Sequence, residues 1–554
     1  MNAEWWRGAT LYQIYPRSFA DANDDGIGDL PGITRQLPYV ASLGVDGIWI
    51  SPFFPSPMRD FGYDVTEHCG VDPMFGTLKD FDDLLAQAHR LGLRVLIDQV
   101  WSHTAAEHPW FQESRSSRDN AKAGWYVWAD AREDGSPPNN WLSWMGGPAW
   151  RWEPRRRQYH LHNFLPQMPD LNFHCPEVQA AVVGMARFWL DRGVDGFRLD
   201  TANLYAHDLL LRDNPPAPPG QRGESPVLMQ RHAYTMDQPE SLAFLRQLRA
   251  VMDEYPNRVT VGEIGGADAQ ATMLAYTQGR DALHTAYSFA FLGTRPDAAA
   301  VASQLAPWAS SEGWPSWSFS NHDVPRVASR WSSVKAAAGF SFGGADERDA
   351  GQRNRDNGQG MGPLTWMALL MALRGTLFIY QGEELGLPQS EVPFERMQDP
   401  FGLAHWPLNP GRDGCRTPMP WLHSAPHAGF SQAEPWLPAD PAHAALAVAR
   451  QETDSGSMLN QTRALLRLRR EQPALRLGVC EVLHAQGDVL VLRRGEGEHA
   501  VLAIFNLGTS PAAMPPTLPV GTLDPQRCLW ANPAAAPIGL NLPGGAAGFY
   551  RHRD

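Results

Sequence analysis

Three short apolar segments, each running into charged side chains, constrain the fold of this 554-residue chain most strongly. They are Val194 to Asp200, Val259 to Ile264 and Trp317 to Asp323, and an acidic residue stands at or near the carboxyl end of each. Apolar runs of this length are typical of buried strands. Their spacing of roughly sixty residues leaves room for a helix between strands. The pattern therefore favours parallel strands of one barrel whose carboxyl ends open on a shared face.

The rest of the chain repeats the alternation of strand and helix. Leu30 to Leu43 and Leu78 to Leu91 have helical spacing of apolar residues and are followed by Gly44 and Gly92. Further strands are predicted at Thr10–Tyr15, Val45–Ile50, Arg94–Val100, Thr285–Phe291, Ser316–Ser320 and Thr376–Tyr380. Together with the segments ending near Asp200 and Glu263, these make eight strands. The sequence therefore predicts an α/β protein with a (β/α)8 TIM barrel.

Two regions depart from this rhythm. Residues 104–168 are rich in Trp, Pro, Asn and Gly, which predicts a small domain inserted after strand three. Short strand patterns in 481–554 predict a C-terminal antiparallel β domain, so the barrel would comprise 1–103 and 169–480. The long segment 203–240 follows strand four, where an excursion usually shapes the mouth of the site; a disordered insertion is the alternative.

Composition excludes several classes of partner. A formal net charge of -13 argues against nucleic acid or an anionic membrane. No apolar run is long enough to span a membrane, and the first residues lack the order of a signal peptide. The five cysteines are scattered and form no CxxC pair, which favours reduced thiols in a cytoplasmic protein. We expect a monomer or a homodimer.

An acidic loop near the N-terminus is a candidate metal site. Oxygen-bearing side chains recur at Asp21, Asn23, Asp25 and Asp29, and Gly26 permits a sharp turn. This alternation suits a hard cation such as calcium. A polar loop held by Asx turns is the alternative.

The residues collected at the carboxyl ends of the strands favour glycoside cleavage. No glycine-rich phosphate cradle follows a strand, no serine nucleophile elbow is present, and no organic cofactor is expected. A pair of carboxyl groups can cleave a glycosidic bond, one as nucleophile and one as acid. Asp200, two residues from Arg198, suits the nucleophile, although an ordinary buried ion pair would look the same. Glu263 has no basic neighbour in sequence, so a raised pKa and an acid/base role would suit it.

Several motifs, in order along nearly the whole chain, resemble the α-amylase superfamily, glycoside hydrolase family 13, and most closely its α-glucosidase and oligo-1,6-glucosidase branch. The motifs are Asp98-Gln-Val-Trp-Ser-His103, Met168-Pro-Asp-Leu-Asn172, Gly196-Phe-Arg-Leu-Asp200, Val261-Gly-Glu263, Asn321-His-Asp323 and Gly382-Glu-Glu-Leu-Gly386. The resemblance implies a retaining enzyme that acts on small α-glucosides through a β-glucosyl-enzyme intermediate.

The resemblance also implies roles for individual residues. Asp200 would be the nucleophile, Glu263 the general acid/base and Asp323 the carboxylate that holds the sugar hydroxyls. The two catalytic carboxyl groups should then lie roughly 5–5.5 Å apart. Residues implied to line the first sugar site are Asp64, His103, Arg198 and His322. Arg412 would close the pocket at the non-reducing end alongside Asp64. The loop at 21–29 would hold calcium, or magnesium instead, with Ile27 supplying a backbone carbonyl.

Departures from the wider family refine the expected substrate. Asn203 and Leu204 stand where endo-acting amylases commonly have Lys-His, which favours an exo-acting glucosidase. Ser102 replaces an Asn that many members have, which puts a contact near the site in doubt. Thr201 follows the nucleophile, where Thr or Ala goes with α-1,4 cleavage and Val with α-1,6 in this branch. We therefore expect cleavage of terminal α-1,4 bonds in short substrates such as maltose.

Other activities remain open from the sequence. The same glucosyl-enzyme can form from sucrose, an α-1,6 preference is a further alternative, and an acceptor other than water would give transglucosylation. Some relatives are non-catalytic subunits of amino-acid transporters, but those span the membrane and lack the catalytic carboxylates that this chain retains at positions 200, 263 and 323.

Overall fold

Eight parallel strands form a nearly closed barrel in a computed structural model of the chain. The structure describes residues 4–219, 222, 225–332, 362–516, 524–533 and 541–552. Strands of the barrel and of the insertion within it are β1 Thr10–Ile14, β2 Gly47–Ile50, β3 Arg94–Gln99, β4 Trp128–Ala129, β5 Trp150–Glu153, β6 Gln158–Leu161, β7 Gly196–Leu199, β8 Val259–Ile264, β9 Thr285–Ser288, β10 Ser316–Ser318 and β11 Thr376–Tyr380. The barrel order is β10-β11-β1-β2-β3-β7-β8-β9, and the bridge Ala286–Pro315 joins β9 to the segment that leads into β10. The predicted (β/α)8 class is confirmed.

The barrel strands are apolar because both of their faces are covered. All residues of β1, β2, β8 and β11 are buried, as expected when side chains fill the barrel on one side and pack under helices on the other. The sixth strand of the barrel, β9, is shorter than predicted. It ends at Ser288, whose side chain accepts a hydrogen bond from the backbone N–H of Ala290 and so caps a 3-10 turn at Phe289–Phe291.

The helices follow the predicted rhythm, and several of them begin at a residue whose side chain caps the helix. The α-helices are Leu30–Leu43, Leu78–Arg90, Pro109–Ser114, Pro176–Asp191, Pro239–Met252, Ala269–Thr277, Ala298–Leu305, Val327–Arg330, Pro363–Ala372, Pro400–His405, Pro441–Ala444, Val448–Glu452, Met458–Glu471 and Pro473–Arg476. Asp29 starts the first of them by accepting from the backbone N–H of Gly32, and Gly44 ends it with φ 90°. A left-handed residue at this position favours glycine.

Two smaller antiparallel sheets accompany the barrel. The sheet β4-β6-β5 lies between β3 and β7 in sequence, within the segment predicted to be an inserted domain. After the barrel come β12 Cys480–Gln486, β13 Val489–Arg494, β14 Val501–Asn506, β15 Ala512–Ala513, β16 Cys528–Ala531, β17 Asn541–Leu542 and β18 Ala547–Arg551. Five of them form the antiparallel sheet β12-β13-β14-β18-β16, which confirms the predicted C-terminal β domain. No helix within the described residues is both long and apolar enough to cross a membrane.

Candidate active site

A cavity opens at the carboxyl ends of the barrel strands, where the predicted carboxylates meet. Its lining residues are Asp60, Tyr63, His103, Met145, Phe164, Met168, Asp200, Thr201, Glu263, Asp323 and Arg412. They come from the barrel strands, from the segments that follow them and from the inserted region. Parallel strands bring these chain-distant side chains together because all their carboxyl ends meet at one rim.

Arg198 is the charged centre of this site. Its guanidinium is fully buried and pairs with Asp98 at 2.8 Å, Asp200 at 2.6 Å and Glu263 at 2.6 Å. Arg198 and Asp200 lie two residues apart and face the same side, as the strand period requires. Glu263 has no basic neighbour in sequence, yet in space it shares this guanidinium. Arg198 therefore supports the cavity from behind and is not among its lining residues.

The two candidate catalytic carboxyl groups have raised pKa values. Burial raises the pKa of Asp200 to about 7 and that of Glu263 to about 8, while Arg198 acts in the opposite direction on both. Arg198, two residues away in sequence, acts to keep Asp200 ionised. Desolvation outweighs that effect because one guanidinium serves three buried carboxylates. A carboxyl group at Glu263 that keeps its proton near neutral pH suits the role of a general acid.

Asp323 differs from these two groups because several cations face it. Burial acts to raise its pKa, but the cations Arg412 and Arg416, together with the ring of His322, whose Nε2 lies 3.4 Å from Oδ2 of Asp323, hold it well below the usual range. Arg416 lies 3.0 Å and Arg412 3.3 Å from its Oδ1 atom. Asp323 is therefore an anion at the pH where Glu263 is still protonated.

Asp60, and not Asp64, is the partner of Arg412 in the lining of the cavity. Nη2 of Arg412 pairs with Asp60 and with Asp399, and both Asp60 and Arg412 line the cavity. The prediction that Asp64 lies alongside Arg412 is wrong. Asp64 is fully buried and accepts hydrogen bonds from the Ser56 hydroxyl and from the backbone N–H groups of Arg59 and Asp60.

The two predicted histidines lie at different depths. His103 lines the cavity, and its ring nitrogens face the Ser102 hydroxyl at 2.8 Å and the Tyr63 carbonyl at 3.0 Å. His322 is fully buried behind Tyr63, with their rings stacked at a centroid distance of 5.2 Å. The Gln13 amide donates to Nδ1 of His322, which fixes the neutral ring with its proton on Nε2. His322 thus orients Tyr63 and is not one of the lining residues.

Thr201 lies between the nucleophile and the acid/base. Its backbone N–H donates to Oε2 of Glu263 at 3.1 Å. Its hydroxyl donates to Ser102 at 3.0 Å, and Ser102 in turn faces His103. The Ser102 departure noted in the sequence therefore belongs to a hydrogen-bonded chain beside the nucleophile.

The long segment after β7 is held against the inserted region. The Trp141 indole donates to the Arg212 carbonyl at 2.8 Å, and the Asn139 amide donates to the Leu211 carbonyl at 3.0 Å. The rings of Trp144 and His232 stack at 4.7 Å. Met145, directly after Trp144, lines the cavity. The described residues of this segment thus brace one wall of the cavity, as the sequence had suggested for the mouth of the site.

The acidic loop has the kind of oxygen atoms that a hard cation binds, but these atoms also bond to the loop itself. Asp21 accepts from the backbone N–H groups of Asn23, Asp24 and Gly26, and Asp25 accepts from Ile27. Oδ1 of Asp21 accepts from two of these groups. Oδ2 of Asp21 accepts from one group, as does Oδ1 of Asp25, so each of these two oxygens keeps a second lone pair. Within the described part of the chain, no group of three or more His, Cys, Asp or Glu side chains is arranged to hold a metal. Calcium or magnesium at this loop therefore stays a prediction.

Sequence reasoning did not identify several residues of the site: Asp60, Tyr63, Tyr287, Asp399 and Arg416. Tyr287 is the only one of them that could have been found from strand register. It pairs directly with Glu263 across β8 and β9, so the two side chains leave the barrel wall in the same direction.

Comparisons with known proteins agree with the barrel and with the family that the sequence motifs resemble. The family described as Alpha amylase, catalytic domain matches residues 13–478. A probable alpha-glucosidase of Rhizobium meliloti is 52% identical over 534 residues, covering 95% of this chain and 93% of that protein. An oligo-1,6-glucosidase of Heyndrickxia coagulans is 34% identical and covers 90% and 91% of the two chains.

Solved structures superimpose on this chain over nearly its full length. The alpha-glucosyl transfer enzyme XgtA superimposes with a TM-score of 0.88 at 49% identity, covering 99% of each chain. The trehalulose synthase MutB from Pseudomonas mesoacidophila gives a TM-score of 0.85 at 30% identity, covering 100% of each chain. The chain therefore belongs to the α-amylase superfamily, glycoside hydrolase family 13, and is a glycosidase of its α-glucosidase and oligo-1,6-glucosidase group.

Proposed function

We propose that the protein is a retaining, exo-acting α-glucosidase that cleaves terminal α-1,4 bonds of short substrates such as maltose. The observation that carries this proposal is the sharing of Arg198 by Asp200 and Glu263 at the base of one cavity. A common guanidinium keeps a nucleophile and an acid/base on the same substrate bond.

The first half of the reaction forms the glucosyl-enzyme. A carboxylate oxygen of Asp200 attacks C1 of the terminal glucose as the bond from C1 to the glycosidic oxygen breaks. The proton of Glu263 moves to that oxygen, so the leaving sugar departs neutral. Asp323 stays ionised and holds sugar hydroxyls while positive charge develops at C1.

The second half of the reaction releases glucose. Glu263, now a carboxylate, takes a proton from water as the water oxygen bonds to C1 and the bond to Asp200 breaks. Two inversions at C1 retain the α configuration. An acceptor hydroxyl in place of water would give a glucoside by the same proton transfers.

The exo action rests on the end of the cavity. Arg412 joins Asp60, Asp323 and Asp399, and in the proposed binding mode this chain of ion pairs would block the direction in which a longer glucan continues. The braced wall at Met145 supports the preference for short substrates. Efficient cleavage of maltoheptaose would count against this preference.

The test is the initial rate of glucose release from maltose, isomaltose, sucrose, trehalose and soluble starch, with Asp200→Asn as the control. A rate of glucose release from maltose well above the rates from the other sugars, with the variant inactive, supports the proposal. A higher rate from sucrose than from maltose would be consistent with the proposed mechanism but would make sucrose the preferred substrate. No cleavage of any of these sugars by wild type would overturn the catalytic assignment.

Transfer of glucose to an acceptor other than water is a second candidate activity. It is favoured by the 49% identity to a protein described as an alpha-glucosyl transfer enzyme. Adding a sugar or alcohol acceptor to the maltose assay and measuring glucosides against free glucose separates transfer from hydrolysis.

We also propose that the loop at 21–29 binds a structural calcium or magnesium ion. The oxygen donors are Asp21, Asn23, Asp25 and Asp29, with the Ile27 carbonyl, and they suit a hard cation in kind. The ion would tie the start of the helix Leu30–Leu43 to the loop, and it has no part in the chemical steps.

A further inference from the structure

Tyr287 is a buried tyrosine in strand β9 that neither the motifs nor the proposed mechanism uses. Its side chain is 1% exposed, and the residue pairs in parallel register with Glu263 of β8. Parallel partners point their side chains to the same side of the sheet. The phenol therefore lies directly beside the carboxyl group of Glu263.

The hydrogen bonds of Tyr287 leave one direction for its hydroxyl hydrogen. Nε and Nη2 of Arg198 lie 3.2 and 3.0 Å from the hydroxyl oxygen, and both atoms are donors. A tyrosine hydroxyl has a single hydrogen, and a guanidinium accepts none. That hydrogen must point to Oε1 of Glu263, which is 3.1 Å away.

The two oxygens of Glu263 consequently have unequal surroundings. Oε1 faces the Tyr287 hydroxyl and Nη2 of Arg198, the latter at 2.6 Å. Oε2 accepts the backbone N–H of Thr201 at 3.1 Å and has a second lone pair left. A proton on Oε1 would have to displace one of two donors, whereas a proton on Oε2 would not.

We propose that Tyr287 is a positioning residue that, together with Arg198, occupies Oε1 of Glu263 and directs the catalytic proton to Oε2. This inference rests on the proposed acid/base role of Glu263. The Oε2 proton moves to the glycosidic oxygen in the first half of the reaction. Oε2 takes a proton from water in the second half, and Tyr287 keeps its own proton throughout.

The expected effect of removing the hydroxyl follows from its role as a donor. A donated hydrogen bond stabilises the carboxylate more than the acid, so its loss raises the pKa of Glu263. The other titratable or charged groups that face Glu263 are Arg198, Asp200, Asp323, Asp98 and Tyr205. Tyr287→Phe leaves all of these in place.

The experiment compares Tyr287→Phe with wild type across pH and across a series of substrates. We expect the basic limb of kcat/KM to move up by about one pH unit, because the lost bond involves a charged group. A weaker acid assists poor leaving groups less. The loss of rate should therefore grow from 4-nitrophenyl α-glucoside to phenyl α-glucoside to maltose.

Tyr205→Phe is the matched control. Tyr205 is also buried, and its hydroxyl has no hydrogen-bond partner among the residues that the structure describes. This variant should keep the wild-type basic limb, because the Tyr205 hydroxyl donates no hydrogen bond to Glu263 and burial, which raises its pKa well above the usual value, keeps it uncharged. If Tyr287→Phe does not fold, 3-fluorotyrosine at position 287 replaces it. The fluorinated phenol is a stronger donor, so the basic limb should then move down.

Two results separate failure of this inference from failure of the proposed function. An unmoved basic limb, with an equal loss of rate on every substrate, would overturn the role of Tyr287. Glu263→Gln provides the other check. If Glu263→Gln cleaved maltose at the wild-type rate, the acid/base assignment itself would be overturned, whatever the effect of Tyr287→Phe.

Discussion

The ion pair between Asp60 and Arg412 provides a sharp test, because two aspartates in one loop have different contacts. Asp60 lines the cavity and pairs with Arg412, whereas Asp64 bonds only within its own loop in the contacts described above. We predict that Asp60→Asn lowers kcat/KM for maltose far more than Asp64→Asn does.

The magnitude follows from the contacts. A hydrogen bond to a charged group contributes about 1.5–3 kcal/mol. Removing the Asp60 charge from a sugar hydroxyl should therefore lower kcat/KM by roughly 10- to 150-fold. Arg412 keeps Asp323 and Asp399 as partners, so the fold should tolerate the change.

Asp64→Asn keeps the shape of the side chain and one acceptor for the backbone N–H of Asp60. Its loss of kcat/KM should be at least about ten times smaller than that of Asp60→Asn. The assay is glucose release from maltose under kcat/KM conditions, with thermal unfolding of each variant as the folding control. An equal loss from Asp64→Asn, at an unchanged melting temperature, would refute the placement of these two carboxylates.

Three further predictions concern pH, linkage and metal. Activity needs Asp200 ionised and Glu263 protonated, so kcat/KM should fall below the pKa of about 7 and above that of about 8. A flat profile from pH 5 to pH 10 would contradict these assignments. Thr201→Val removes the hydroxyl that bonds Ser102 and should raise the isomaltose-to-maltose rate ratio about tenfold; an unchanged ratio would dissociate Thr201 from linkage preference. Chelation of calcium and magnesium should lower the melting temperature by several degrees and leave kcat near wild type at 25 °C, with Asp25→Ala insensitive to the chelator, since ion binding stabilises the folded state alone. An unchanged melting temperature of the wild-type protein would indicate that the loop is held by its own hydrogen bonds and not by an ion.

The sequence alone was sufficient for the barrel and for the three central carboxylates. Asp200 and Asp323 come after apolar strands and Glu263 is the penultimate residue of another, and parallel strands in a closed sheet must bring their carboxyl ends together. The start of the helix Leu30–Leu43 also depends on neighbouring residues, because the Asp29 side chain accepts a hydrogen bond from the backbone N–H of Gly32. These features depend on residues that are close in sequence, or on a rule of barrel geometry.

The choice between Asp60 and Asp64 could not be made in this way. Met58, Phe61 and Gly62 have φ values of 60°, 50° and 107°, so the chain reverses direction within the loop between β2 and the helix Leu78–Arg90. Non-glycine residues in the left-handed region are uncommon, and no pattern of apolar residues predicts them. The turns direct Asp60 into the cavity and Asp64 back into its own loop.

The sequence by itself determined which barrel strands form and which acids stand near their carboxyl ends, because strand period and barrel closure act on local patterns. Only the tertiary structure decided the electrostatic surroundings of those acids. Arg198 serves three carboxylates from different strands, and Tyr287 reaches Glu263 across neighbouring strands. Burial raises the pKa values of Asp200 and Glu263 through the combined desolvation by all the elements packed around them, which no single stretch of sequence contains.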